Sequence, residues 1–220
     1  FDIGITTMQA ISNLRNRIEP KFAGLNGEKD NGNGSLMRIA PLIPYIYGLV
    51  EEQQIQIISE VSSLTHRHPR SILACIFLCK FAIQYLATKE IPTAFAYTQK
   101  EIKYLLTQEK FKNECSHFDR LVNLTYEQFR NIAENDIKST GYVIDTLEAS
   151  FWSIFNNNDF KDSVLCAVNL GYDADTVGAI TGALAGIIYG HDSIPEEWLN
   201  VLARKEDIIE LANRLDVRLD

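Results

Sequence analysis

Apolar residues recur at helical spacing along almost the whole chain, and alternating strand patterns are almost absent. Met8, Ile11 and Leu14 share one helical face, and the segment 71–87 is apolar enough to be buried on most sides. Glycine and asparagine concentrate in segment 24–35, which is typical of a loop. The pattern predicts an all-α fold in a single domain over residues 1–220.

The helix boundaries follow from prolines, glycines and the ends of the apolar stripes. A helix interrupted by Pro41 and Pro44 is expected over 37–47. The other expected helices cover residues 6–17, 51–64, 71–87, 92–106, 126–133, 142–155, 160–169, 176–189, 195–202 and 205–215.

Composition limits the possible partners. The net charge of −8 argues against a general affinity for nucleic acid or for an anionic membrane. The four cysteines form no CxxC pair, which favours reduced structural thiols and a cytoplasmic protein. The apolar run 177–190 is too short to span a bilayer. The opening FDIGITTMQA lacks an initiator methionine and reads as the middle of a protein, so a fragment or a processed piece is expected.

Glycine recurs every fourth residue at Gly178, Gly182, Gly186 and Gly190. Each glycine inside a helix costs roughly 1 kcal/mol relative to alanine, so the repeat needs a compensating contact. We therefore expect another helix to approach this face closely. On that basis Gly182→Leu should destabilise the fold by several kcal/mol through overpacking, an order of magnitude typical of core insertions.

Two aspartates immediately precede the glycine-rich helix. Asp173 and Asp175 lie two residues apart, and Thr176 follows at the first turn. Carboxylate and hydroxyl oxygens are hard ligands suited to Mg²⁺ or Mn²⁺. The alternative is that Asp175 or Thr176 only caps the helix, because aspartate and threonine are common caps.

Three further motifs could take part in ligand binding. The segment NGNGSLMRIAP could cradle phosphate, with Arg38 as a partner, or form an ordinary turn with Arg38 in a structural salt bridge. His66 and His68 form an HxH pair, but no third soft ligand at a recognisable spacing supports a zinc site. In STGYVIDTLEASFW, Tyr142 could stack on an aromatic base or lie at the edge of the core.

Taken together, GNGSLMR, LTHRHP, STGYVIDTLEA and NLGYDADTVGAITGALAGIIYG resemble the ADP-ribosylglycohydrolase family, and particularly its bacterial branch that activates dinitrogenase reductase. The opening DIGITT resembles a segment of the same family. The resemblance implies an all-α orthogonal helical bundle with a dinuclear Mg²⁺ or Mn²⁺ centre in a cleft for ADP-ribose. It also implies hydrolysis of the glycosidic bond to a modified protein side chain, arginine above all, or to a small molecule.

The resemblance assigns roles to individual positions. It implies metal ligation by Asp173, Asp175 and Thr176, and catalysis through the two aspartates, with Asp175 the first choice as the essential ligand. It implies substrate binding by Asn33, Gly34, Ser35, His66, Ser139, Gly141 and Tyr142.

One part of the family pattern is missing. The family carries a Thr/Ser-Asp-Asp metal-binding run upstream of the segment that resembles DIGITT, and this chain contains no adjacent Asp-Asp pair. The resemblance therefore implies a longer protein, a second chain that supplies the run, or a degenerate family member. The alternatives to the hydrolase are a non-catalytic module that binds ADP-ribose or a related nucleotide, and a structural family member. The expected partner is an ADP-ribosylated protein or a small ADP-ribose conjugate; the oligomeric state is left open.

Overall fold

The structure is a computed structural model that describes the backbone of residues 3–219 and the side chains of residues 3–215. Thirteen α-helices run through this part of the chain, joined by short 3-10 turns. In chain order they are α1 (Ile5–Arg15), α2 (Pro20–Ala23), α3 (Ile43–Ile46), α4 (Glu51–Ser63), α5 (Pro69–Thr88), α6 (Ile91–Leu105), α7 (Asp119–Asn123), α8 (Tyr126–Arg130), α9 (Val143–Phe155), α10 (Phe160–Asn169), α11 (Ala174–Tyr189), α12 (Glu196–Val201) and α13 (Lys205–Leu219).

The all-α prediction is confirmed: within residues 3–219 no strand forms, and only two isolated bridges, Leu25 with His66 and Gly32 with Tyr142, show extended pairing. Most predicted helices occur with boundaries shifted by one to three residues. The prolines do interrupt 37–47, which contains two 3-10 turns and α3. Sequence periodicity missed the 3-10 helix Lys112–His117 and α7.

Helix α5 is the centre of the core and packs against α4, α6, α9 and α11. It begins at Pro69, whose missing N–H costs nothing at the first helical position. His68 caps this end, because its Nδ1 accepts the Arg70 N–H at 3.2 Å. The helix ends at Thr88, and the next residue, Lys89, adopts a left-handed conformation with φ of 58°.

Aromatic rings from α5, α6 and α9 interlock in the core. The ring centroids of Phe81 and Phe151 are 4.8 Å apart, and those of Phe95 and Phe155 are 5.0 Å apart, both edge to face. This arrangement is preferred because the positive edge of one ring meets the negative face of the other. The cluster fixes α5, α6 and α9 against one another, and α9 in turn places the turn at its N-terminus.

Among the described residues α5 is the one helix long and apolar enough, by length and composition, to cross a membrane. Its apolar window is 72% buried inside the fold, and the core helix of a globular protein meets the same criterion. The run 177–190, which was expected to be too short to span a bilayer, falls mostly in α11, a shorter apolar helix of 16 residues.

The expected close approach to the glycine face of α11 is confined to Gly178. A Cβ added there would lie 2.8 Å from Cγ1 of Val168 on α10. A Cβ at Gly182 would make an ordinary contact of 3.8 Å, and one at Gly186 would meet no described atom within 4 Å. A Cβ alone therefore fits at Gly182, and the large destabilisation expected for Gly182→Leu would come from the side-chain atoms beyond Cβ; it stays a prediction.

Candidate functional site

The glycine-rich loop 24–35 lies against the C-terminal end of α4. Gly24 donates its N–H to the Ser63 carbonyl at 2.9 Å, and a Cβ at Gly24 would stand 2.4 Å from that oxygen. Only glycine can approach the backbone this closely. Further along, the Ser71 hydroxyl of α5 donates to Oδ1 of Asn31 at 3.0 Å. The loop is therefore held at both ends by core helices.

The same loop is hydrogen-bonded to the turn that precedes α9. Asn33 donates its N–H to the Gly141 carbonyl at 3.0 Å, and Val143 donates its N–H to the Asn31 carbonyl at 3.0 Å. The buried Asn33 side chain donates to Oγ1 of Thr146 at 2.8 Å and also to Oδ2 of Asp173. Asn33 thus joins the loop to the turn and to the first of the two aspartates, both of which lie over 100 residues after it in the sequence.

His66 forms the wall behind the loop. It is 2% exposed, and its Nδ1 is 2.8 Å from the Thr65 hydroxyl. A Cβ at Gly34 would lie 2.8 Å from Cε1 of His66, so the loop packs directly on the imidazole. Burial, together with the charge of Arg38, lowers the pKa of His66 to about 4. The ring is therefore neutral at neutral pH.

A strained turn leads into Asp173, the cap residue of α11, and Asp175 lies in the first turn of the helix itself. Gly171 and Tyr172 both have positive φ, 77° and 52°, and Tyr172 is 93% exposed. The Ser139 hydroxyl donates to the Gly171 carbonyl at 3.0 Å, and Asp173 donates its N–H to the Ser139 carbonyl at 3.0 Å. A non-glycine residue in this conformation costs about 1 kcal/mol or more, and such strain clusters at functional sites.

The side chains of this turn differ in exposure. Thr176 is buried and donates its hydroxyl to Oδ1 of Asp173 at 3.2 Å. Asp175 is exposed, and its Oδ1 accepts the N–H of Thr176 at 2.8 Å. The helix cap position belongs to Asp173, which makes no capping bond to a backbone N–H. Thr176 therefore does not cap the helix. Asp175 does not cap it either, because its carboxylate accepts only the N–H of the adjacent Thr176.

These groups could hold a cation. Two carboxylates and one hydroxyl lie within four residues at the N-terminus of α11, with Thr176 bonded to both aspartates. Among the described side chains, residues 3–215, no cluster of three or more His, Cys, Asp or Glu forms. Mg²⁺ is commonly bound by one or two carboxylates, with water and substrate oxygens completing the shell. The oxygen donors present thus fit one flank of a magnesium site.

The paired histidines of LTHRHP have separate partners. His66 packs on the loop, whereas Nε2 of His68 lies 3.4 Å from Glu28. Ser35 is fully buried, and its hydroxyl accepts from Sγ of Cys75 at 3.5 Å. Arg38 donates to the Gly34 carbonyl at 2.6 Å and the Val61 carbonyl at 3.1 Å, which makes it a structural partner of the loop.

Tyr142 is the last residue of the 139–142 turn, and its side chain is half-buried. Its hydroxyl is 3.1 Å from Nδ1 of His117, and the Arg70 guanidinium lies over its ring at 5.9 Å. The ring borders a cavity of about 350 Å³. Charged and polar side chains around it include His117, Arg120, Lys138, Asp145 and Glu148.

Glu148 is the buried acid of this cavity. Burial raises the pKa of Glu148 to about 7, although Arg120 lies 3.4 Å away and acts in the opposite direction. His117 lies outside the motifs described above, and Glu148 lies within STGYVIDTLEASFW but was assigned no role from the sequence. Glu148 lies among buried positions of α9, where an acidic residue at an interior position is a usable sequence signal.

Comparison with known proteins agrees with the fold and the motifs. The ADP-ribosylglycohydrolase family model matches residues 1–219. An ADP-ribosylarginine hydrolase, Tri1, of Serratia proteamaculans is 33% identical over 98% of this chain and 54% of its own length. The ADP-ribosyl-[dinitrogen reductase] glycohydrolase of Rhodospirillum rubrum is 28% identical over 99% of this chain and 65% of its own.

A solved structure described as an ADP-ribosylglycohydrolase-related protein complex superimposes with a TM-score of 0.78. It is 29% identical and covers 96% of this chain and 68% of the other. The chain belongs to the ADP-ribosylglycohydrolase family. It spans about half the length of the Tri1 relative and about two thirds of the Rhodospirillum one.

Proposed function

We propose that this chain forms the ADP-ribose cleft of a Mg²⁺- or Mn²⁺-dependent hydrolase that cleaves the glycosidic bond between ADP-ribose and a modified arginine side chain. The observation that carries the proposal is the position of Asn33, which bonds the Gly141 turn, Thr146 and the Asp173 carboxylate at once. The Tri1 relative is described as an ADP-ribosylarginine hydrolase, which supports arginine as the linkage. An ADP-ribosylated protein or a small ADP-ribose conjugate is the proposed substrate, in a cytoplasmic setting.

The loop side of the cleft provides the recognition surface. Gly32 and Gly34 carry no side chain, so a ligand diphosphate can approach their backbone closely. The neutral His66 has Nδ1 engaged by Thr65, which leaves Nε2 for a hydrogen bond to a ribose hydroxyl. Tyr142 offers an aromatic face to the nucleoside end.

The acidic turn provides the metal-binding side. Asp173, Asp175 and Thr176 would hold the ion through oxygen atoms, and the resemblance implies a second ion beside it. When bound, Mg²⁺ supplies stabilisation of developing charge and lowers the pKa of a bound water. Asn33 and Thr176 orient the Asp173 carboxylate, whereas Asp175 is exposed to an approaching ligand. This differs from the paired-carboxylate chemistry of most glycosidases.

A calorimetric titration of ADP-ribose into the chain, with Mg²⁺ and again with a chelator, tests the proposal. Binding that depends on Mg²⁺, followed by release of ADP-ribose from ADP-ribosylated arginine, is the expected result. Absence of binding under both conditions would contradict it and leave a structural family member.

The second candidate is a non-catalytic module that binds ADP-ribose or a related nucleotide. The loop side that would recognise ADP-ribose is held by hydrogen bonds to the core. The acidic side offers two carboxylates as metal ligands among the described residues. This difference favours binding over catalysis. Tight binding of ADP-ribose without turnover, with Mg²⁺ present, would decide for this candidate.

A further inference from the structure

Arg70 is a buried cation outside the motifs discussed above. It lies in the first turn of α5 and is 4% exposed. Its Nη2 donates to Oε1 of Glu28 at 2.7 Å, and its Nε donates to Oε2 of Glu114 at 2.8 Å. The planar guanidinium therefore uses two sides of its fork on two separate carboxylates.

These contacts join three segments that surround the candidate site. Glu28 belongs to the glycine-rich loop, five residues before Asn33. Glu114 lies in the 3-10 helix Lys112–His117, and His117 of the same helix holds the Tyr142 hydroxyl. The Tyr142 ring lies under the Arg70 guanidinium, so the ring is held at its face and at its hydroxyl.

Stability alone does not explain a charge at this position. Removing a cation and a carboxylate from water costs several kcal/mol, and well-packed apolar residues often serve the fold equally well. Burial lowers the pKa of Arg70, but the hydrogen bonds to Glu28 and Glu114 outweigh this and leave the pKa raised. The charge is permanent. Its contact with the buried Glu114 restricts the geometry of the guanidinium, whereas the Glu28 side chain at its other side is 68% exposed.

We propose that Arg70 is a positioning residue that fixes the Tyr142 ring and the glycine-rich loop for the nucleoside end of ADP-ribose. The role rests on the proposed function, because it requires that ADP-ribose enter this cleft. Arg70 acts through Tyr142 and the loop; its guanidinium is occupied by protein groups. It should therefore control affinity more than the chemical step.

The test compares two buried cations on the same helix. Arg70→Met should weaken ADP-ribose binding about tenfold and raise KM for ADP-ribosyl-arginine by a similar factor, with kcat changed by less than about twofold, since aromatic stacking of a base has this order of magnitude. The matched control is Lys80→Met. Lys80 is 3% exposed and donates to Gln54 at 3.0 Å, ten residues and about 15 Å further along α5.

A double-mutant cycle separates positioning from a general loss of stability. With Tyr142→Leu as background, Arg70→Met should weaken binding by much less than tenfold, because the group through which it acts is gone. If Arg70→Met does not fold, Arg70→Lys replaces it: this variant keeps the charge, loses the fork, and should weaken binding by a smaller factor.

The outcomes are distinguishable. Two results would refute the positioning role alone, provided that the wild-type chain binds ADP-ribose. The first is a Kd for ADP-ribose that is unchanged in Arg70→Met or Arg70→Lys. The second is a loss of affinity in Lys80→Met equal to that in Arg70→Met. A strictly additive cycle would also overturn action through Tyr142. Failure of the wild-type chain to bind ADP-ribose with Mg²⁺ would refute the proposed function, and this role with it.

Discussion

The two sides of the candidate cleft are built in opposite ways. On the loop side, Asn33 and His66 are buried and every described contact is to another part of the fold. On the acidic side, Tyr172 is exposed on a turn with two left-handed residues, and Asp175 is exposed in the first turn of α11 that follows. The first side is pre-organised for recognition, whereas the second leaves a carboxylate open to a ligand. Substitutions on the two sides should therefore separate stability from activity.

The largest effect is expected from Asp175→Ala on the acidic side. Loss of an exposed metal-binding carboxylate should lower turnover on the order of 100-fold or more, because metal stabilisation of charge is worth several kcal/mol. The melting temperature should change little, since the carboxylate contributes only about 0.5 kcal/mol at the helix N-terminus. Asp192→Ala, an exposed aspartate elsewhere, is the control. A folded and fully active Asp175→Ala would refute the metal assignment.

A second prediction uses the titration of His66 on the loop side. Its folded pKa of about 4 lies below the unfolded value of 6.5, so the unfolded chain binds more protons between these values. The free energy of unfolding therefore rises with pH across this window, and up to about 3 kcal/mol is lost as pH falls from 6.5 to 4. Denaturant unfolding of wild type and His66→Gln at pH 7 and pH 4 measures the difference.

Glu148 makes the free energy of unfolding depend on pH in the opposite direction. Its folded pKa of about 7 exceeds the unfolded value of 4.5, so the folded state holds the extra proton and stability falls as pH rises from 4.5 to 7. In wild type the two trends partly cancel. In Glu148→Gln the free energy of unfolding should therefore rise with pH as steeply as His66 alone predicts. If wild type and both variants show parallel dependences of this free energy on pH, then His66 and Glu148 do not have the buried environments described above.

A third prediction concerns the close packing of the loop on His66. In Gly34→Ala the new Cβ would stand 2.8 Å from Cε1 of His66 and 3.2 Å from the Thr7 hydroxyl. One of these groups must move, which should cost about 2 kcal/mol of stability and also weaken ADP-ribose binding. Gly48→Ala is the control, because a Cβ there meets no atom within 4 Å. Unchanged binding and stability in Gly34→Ala would show that the loop side is looser than described.

The sequence predicted the acidic turn better than the groups that support it. Asp173, Asp175 and Thr176 lie within four residues, so their spacing was visible directly. The hydrogen bond from Asn33 to Thr146 spans 113 residues and that from Arg70 to Glu114 spans 44, and no local pattern indicates such partners. The 3-10 helix that carries Glu114 was missed for a related reason, since short 3-10 segments lack the apolar period of an α-helix. Its position is set by burial of neighbouring Phe111 and Phe118.

The smallest effect is expected within α11, the helix that carries the acidic turn. Gly186→Ala introduces a Cβ into open space, so the gain in helix propensity should stabilise the fold by up to about 1 kcal/mol. Gly178→Ala gains the same propensity, but its Cβ would stand 2.8 Å from Val168, and net stability should stay constant or fall. Thermal unfolding of both variants distinguishes them. Equal stabilisation at both positions would mean that α10 yields easily, and that the acidic turn rests on a softer support than the loop on the other side of the cleft.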